Sequence, residues 1–124
     1  MTTAWAHLPN ATHIDRVLAS LTATPELWTA ARGAAWTAAW TPARSAAGDA
    51  ARDAARGAAW DAARGAAWGA AWGAAWDATA ALIAWDDCGV FLDMPSDAVR
   101  LVAASGHHPA VLLLPAAIVF SPAT

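Results

Sequence analysis

From Trp28 to Thr79 the chain repeats a four-residue unit through thirteen consecutive tetrads in unbroken register. The unit is most often Trp or Arg, then Gly, Asp, Thr or Ser, then two alanines, and "ARGAAWGAAWGAAWDA" over 63–78 shows it in its plainest form. Alanine at half the positions commits such a segment to helix. A period of four does not match 3.6 residues per turn, so each tetrad is rotated by roughly 40° from the one before. Residues at the first tetrad position therefore climb a continuous helix as a right-handed spiral and cannot form one straight stripe.

The first position holds Trp, Arg or Gly, which share little chemistry but whose codons TGG, CGG and GGG differ by one base. Expansion of a twelve-base, GC-rich unit accounts for that pattern, and a chain with seven arginines and no lysine or tyrosine fits the same origin.

The local signals are helical throughout. Ile14, Val17, Leu18 and Leu21 recur at helical spacing after Thr12 as a cap, predicting a short helix over 13–22. Thr24 caps the next, with Pro25 in its first turn. Thr41 and Pro42 repeat that signature, so the tetrad region should break there. An alanine-rich helix is expected from 42 to 87, stopped by Gly89, with Gly48 as a second point of weakness. Ser96 or Met94, with Pro95, opens a helix carrying Val99, Leu101 and Val102 that ends before Gly106. Pro109 opens the last, "PAVLLLPAAIVF", where Pro115 should introduce a kink. The expected organisation is a single helical domain over 1–124: a leader and short helix (1–24), tetrad helices (25–87) and an apolar tail (88–124). The tail's large side chains, Phe91, Leu92, Val99, Leu101, Val102, Val111 to Leu114, Ile118 and Val119, are its expected share of the core.

The fold class is all-α: a helical hairpin or small bundle built on the long tetrad helix, with short flanking helices. Two uncharged Trp-rich ends, 33–41 and 65–76, flank a charged middle in which Asp49 and Arg52, Asp53 and Arg56, and Asp61 and Arg64 form acid-first pairs three residues apart. A hairpin turned between Pro42 and Gly48 would bring the ends together. The rival is one helix of about 45 residues, about 68 Å long, covered by a second copy. Either way the expected interaction surface is Trp36, Trp40, Gly65, Trp68, Gly69, Trp72, Gly73 and Trp76. Trp60, set among Arg56, Asp61 and Arg64, is expected to contribute less.

Composition narrows the function. A net charge of −3 argues against a general nucleic-acid binder, because affinity for phosphate needs a surplus of basic groups. Arginines interleaved with tryptophans could clamp a single strand, but Asp53 and Asp61 cancel that field. The single Cys88 excludes an intramolecular disulfide and a multi-cysteine zinc site, and it reads as a small buried filler. His107 and His108, with Cys88, Asp86, Asp87 and Asp93, are ligand types without ligand spacing. His7 and His13 lie in an exposed leader without an evident role. No nucleophile elbow, phosphate loop or metalloprotease motif is present. No enzyme, metal or cofactor is expected. No basic leader with an apolar run precedes the repeat, so a cytoplasmic or virion-associated location is expected. Gly65, Gly69 and Gly73 make a doubled GxxxG of the kind that joins membrane helices, and 65–85 carries only Asp77 as a formal charge. Alanine and glycine are weakly hydrophobic, however, and no basic cluster flanks the segment. The run 109–120 is too short to cross a bilayer of about 30 Å unless "LVAASGHH" is included, so a membrane partner is not the favoured expectation.

The run "AARDAARGAAWDAARGAAW" with the tail "WDDCGVFLDMPSDAVRLVAASGHHPAVLLLPAAIVF" resembles the alanine-rich tetrad-repeat proteins of GC-rich actinobacteria and their bacteriophages, over roughly 28–120. The resemblance implies an origin and carries no activity or catalytic residue with it. The expected function is a non-enzymatic helical interaction or self-assembly protein, a homo-oligomer in a phage or host-interaction setting. The alternatives are a small membrane-active, holin-like helical protein and a bundle whose Trp-lined pocket holds a small flat ligand.

Overall fold

A computed structural model describes residues 5–38, 41–54, 57–61 and 72–120, with side chains described for all of these except 36–38, 41, 42, 44 and 72–74. The fold is all-α, with no strand among the described residues. Its helices are α1 (Ala11–Ala23), α2 (Pro25–Ala38), α3 (Thr41–Asp53), α4 (Trp72–Ala84), α5 (Ser96–Ala104) and α6 (His108–Phe120), with a 3-10 segment at Cys88–Asp93 between α4 and α5.

Helix α6 organises the bundle. Its sequence is apolar on every side, which marks a helix surrounded by protein, and Pro109 to Ala117 are all buried. It packs against α2, α3, α4, α5 and the 3-10 segment. The helix runs on through Pro115, where Val111 loses its helical N–H donor. The tail thus supplies the core as the sequence predicts, with one correction. Leu101 lies on the outer side of α5, 75% exposed, while Val99 and Ala103 take the inner side.

The tetrads show how a period of four is accommodated. Ala31, Ala35, Ala47, Ala51, Ala59 and Ala75 are buried, and Thr79 with them. Each is the fourth residue of its tetrad. Among the described first-position side chains only Trp28 is fully buried, whereas Arg32 and Arg52 are exposed. The inward-facing unit of the repeat is therefore alanine, whose single methyl lets helices approach closely, and tryptophan is the exception. Such a register holds only over short stretches, because a drift of roughly 40° per tetrad carries a given position through about 120° within four tetrads. The helices respect that limit: α2 ends at Ala38 and α3 at Asp53.

The expected unbroken helix from 42 to 87 is consequently divided. The break at Thr41 and Pro42 falls where predicted. Gly48 does not break anything and sits inside α3. The chain instead turns at Ala54 and Gly57, with Gly57 at φ 52°, a left-handed conformation that glycine adopts without strain. The turn thus lies beyond the expected 42–48. Residues 58–61 are helical again, and α3 packs against α4.

Two predicted caps act differently. Thr12 does not cap α1, whose N-cap is Asn10. The Thr24 hydroxyl turns back to donate to the Ser20 carbonyl at 3.0 Å and so finishes α1. Helix α5 closes as predicted, with Gly106 at φ 90° donating its N–H to the Ala103 carbonyl at 2.9 Å.

Candidate functional site

The predicted interaction surface is only partly within view. Trp40, Gly65, Trp68 and Gly69 lie outside the described residues, and Trp36, Trp72 and Gly73 outside the described side chains. Trp76 remains, and it meets Trp60 edge to face with ring centroids 4.6 Å apart. Both rings are half-buried against the core. Trp60, expected to contribute less than the other tryptophans, is the ring that Trp76 meets, following the turn at Gly57. Edge-to-face pairs of this kind add about 0.5–1.5 kcal/mol beyond area burial.

Trp28 has a different task. It is fully buried, donates its indole N–H to the Ser20 hydroxyl at 3.1 Å and sets its ring edge against Phe120 at 5.9 Å. The Arg16 guanidinium lies 4.1 Å from the centre of the Phe120 ring and pairs with Asp93 at 3.0 Å. One stack thereby ties α1, α2, α6 and the 3-10 segment together. In the charged middle, Asp49 and Arg52 pair at 3.8 Å in full view of solvent. The partners Arg56 and Arg64 of the other two acid-first pairs fall outside the described residues.

The densest polar constellation stands at the end of α4. The last carbonyls of a helix lack helical donors, and here one donor comes from distant chain, Asn10, and one from just beyond the helix, Cys88. The buried Asn10 amide donates to the Leu82 carbonyl at 3.0 Å and the Trp85 carbonyl at 2.7 Å. The Cys88 thiol is shared between the Ala81 and Trp85 carbonyls, at 3.3 and 3.2 Å. Asn10 makes no side-chain cap for its own helix; it caps another helix's opposite end. Burial, then the Asp87 carboxylate and more weakly that of Asp86, push the Cys88 thiol up to about 12, against the opposing effect of a backbone hydrogen bond. It therefore stays protonated at neutral pH, as a structural donor and not a nucleophile. Cys88 is buried as the sequence suggests, but it is more than a filler.

Beside this cap an open cleft of about 560 Å³ lies between residues 85–91 and 106–109. Trp85, Phe91 and His107 give it ring surfaces, with Phe91 and His107 tilted at 58° and 5.6 Å apart. Asp87 and Val90 stand exposed at its edge. Gly89 packs closely against other side chains: a methyl there would come within 2.6 Å of His13 Nε2 and 2.9 Å of Asn10 Oδ1, so those side-chain ends would have to shift. His13 is therefore not a free leader residue but a packed one. Sequence reasoning passed over Asn10, Trp85 and Phe91 as a group. The available signal was the cluster "WDDCGVF" directly after an uninterrupted buried run, Ala80 to Ala84.

No group of three or more His, Cys, Asp or Glu able to hold a metal ion occurs among the described residues. No described helix is long and apolar enough to cross a membrane. Comparison of the chain with protein-family models, curated proteins and solved structures finds no match.

Proposed function

We propose that the protein is a non-enzymatic helical interaction module that self-associates through its tetrad tryptophans, as a component of a phage or host-interaction assembly, cytoplasmic or virion-associated. The observation that supports this reading is the Trp60–Trp76 pair: two first-position rings, sixteen residues apart in sequence, meet and still remain partly exposed. A second copy would cover their outer surface. Elsewhere in the repeat Ala30, Gly33, Ala34 and Ala46 are exposed and present almost no side-chain bulk, which favours close approach of a second copy. Light scattering of the purified chain tests the proposal. The expected mass is a multiple of 12.7 kDa, falling toward the monomer in a Trp60→Ser, Trp76→Ser variant. A wild-type monomer at high concentration would reject it.

The cleft favours a second reading, that of a small flat ligand held against Trp85 and Phe91. Its volume lies within the range of roughly 300–1,000 Å³ common for small-molecule sites. The holin-like alternative gains no such support from the described helices.

A further inference from the structure

The geometry points to a ligand class for the cleft: we infer that it binds a small organic cation carrying a flat ring. The inference rests on the second reading above and adds the charge. Three rings line the cleft, those of Trp85, Phe91 and His107. Phe91 and His107 are tilted at 58° with centroids 5.6 Å apart and do not form a parallel stack. Aromatic walls of this kind attract cations through the negative faces of their rings.

The formal charge in the cleft has the complementary sign. Asp87 stands at its edge as the N-cap of the 3-10 segment, yet its carboxylate makes no capping hydrogen bond. An exposed carboxylate without a capping duty is available to a ligand. The chain contains no lysine, and no arginine lines the cleft among the described residues. The field of Asp87 and Asp86 already reaches the cleft floor, since both carboxylates oppose ionisation of Cys88. The same field that disfavours a thiolate there favours a positive ligand. An anionic ligand would meet Asp87 with no arginine or lysine to offset it. An uncharged one would leave the carboxylate unused.

The test uses the full chain and three single-ring probes of similar size: phenyltrimethylammonium, neutral N,N-dimethylaniline and benzenesulfonate. Binding is followed by NMR through the amides of 87–91 and the imidazole protons of His107 and His108. The expected result is saturable shifts with the cation, at least fivefold weaker binding of the neutral probe, and none with the sulfonate. Asp87→Asn should weaken the cation roughly fivefold, within the range of exposed charge pairs, and leave the neutral probe unchanged. Val90→Arg, at a 59% exposed position, should abolish cation binding with the helical content intact. Equal binding of cation and neutral probe would overturn the charge assignment and leave the flat-ligand reading standing. An absence of shifts with all three probes would overturn both.

Discussion

Replacing Asn10 by alanine removes a donor from the end of a helix more than seventy residues away in sequence. The amide faces two carbonyls, Leu82 at 3.0 Å and Trp85 at 2.7 Å, and is itself 4% exposed. Water therefore has little room to replace it. A buried carbonyl left without a donor costs about 1–3 kcal/mol. The Trp85 carbonyl keeps part of the Cys88 thiol at 3.2 Å, so the full cost applies to Leu82 and a fraction to Trp85. The sum is about 2–4 kcal/mol, a large part of the stability of a domain this size. Urea unfolding followed by far-ultraviolet circular dichroism would read it as a lower midpoint at unchanged slope. Asn10→Asp sharpens the test, since a carboxylate offers only acceptors to those carbonyls and must be more destabilising than alanine. Loss of less than about 0.5 kcal/mol in Asn10→Ala, the scatter of ordinary surface changes, or an aspartate variant as stable as wild type, would refute the capping role.

Three further outcomes follow from the same region and from α1. The Cys88 thiol, raised from 9.0 to about 12, keeps its proton in the fold while the unfolded chain loses it, so its contribution is complete below pH 9.0 and is lost between there and about 12. The unfolding free energy should fall by up to about 1.4 kcal/mol per pH unit in that window, and Cys88→Ala should remove that slope in pH-dependent denaturation. Gly89→Ala drives a methyl into His13 and Asn10 and should cost about 1–3 kcal/mol; a His13→Ala background should recover part of the loss in thermal melts. Arg16→Ala loses the Asp93 pair and the Phe120 contact, both partly exposed, and should cost about 1 kcal/mol, with high salt reducing the difference between variant and wild type.

Much of the architecture was legible because it is written in strong local signals. Pro25, Thr41 with Pro42, Pro95 with Ser96, and Gly106 each mark a boundary that the chain obeys. The tail identified itself as core by an apolar run too long for an exposed helix and too short for a span. What the repeat hid was the choice among equivalent tetrads. Gly33 and Gly57 occupy the same tetrad position, yet one is inside α2 and the other turns the chain at positive φ. Nothing local distinguishes them; packing against α6 and α4 does. The inward position was hidden for a related reason. Tryptophan draws the eye as the large apolar residue, whereas close helix contact selects the smallest, the fourth-position alanine. The candidate site was least legible of all, since Asn10 and Trp85 meet only after every intervening helix is in place. The ligand-type residues of "WDDC" and "GHH" stand apart in the sequence, and their shared cleft depends on tertiary approach.

The position of α6 in the chain has a consequence for how the protein comes into being. Residues 108–120 leave the ribosome after α1 to α5, and most of those helices pack against them. Before that last segment emerges, α1, α2 and α3 have α4 to pack against but not α6, and Trp28 lacks Phe120. The nascent chain therefore lacks the element on which most of its helices close. Closure then arrives in one late step, joining segments far apart in sequence, which slows folding relative to a bundle of successive neighbours. A chain interrupted anywhere before residue 108 would expose its tryptophans and small-residue faces together, and the quality-control machinery of the cell would meet it as an aggregation-prone helix cluster.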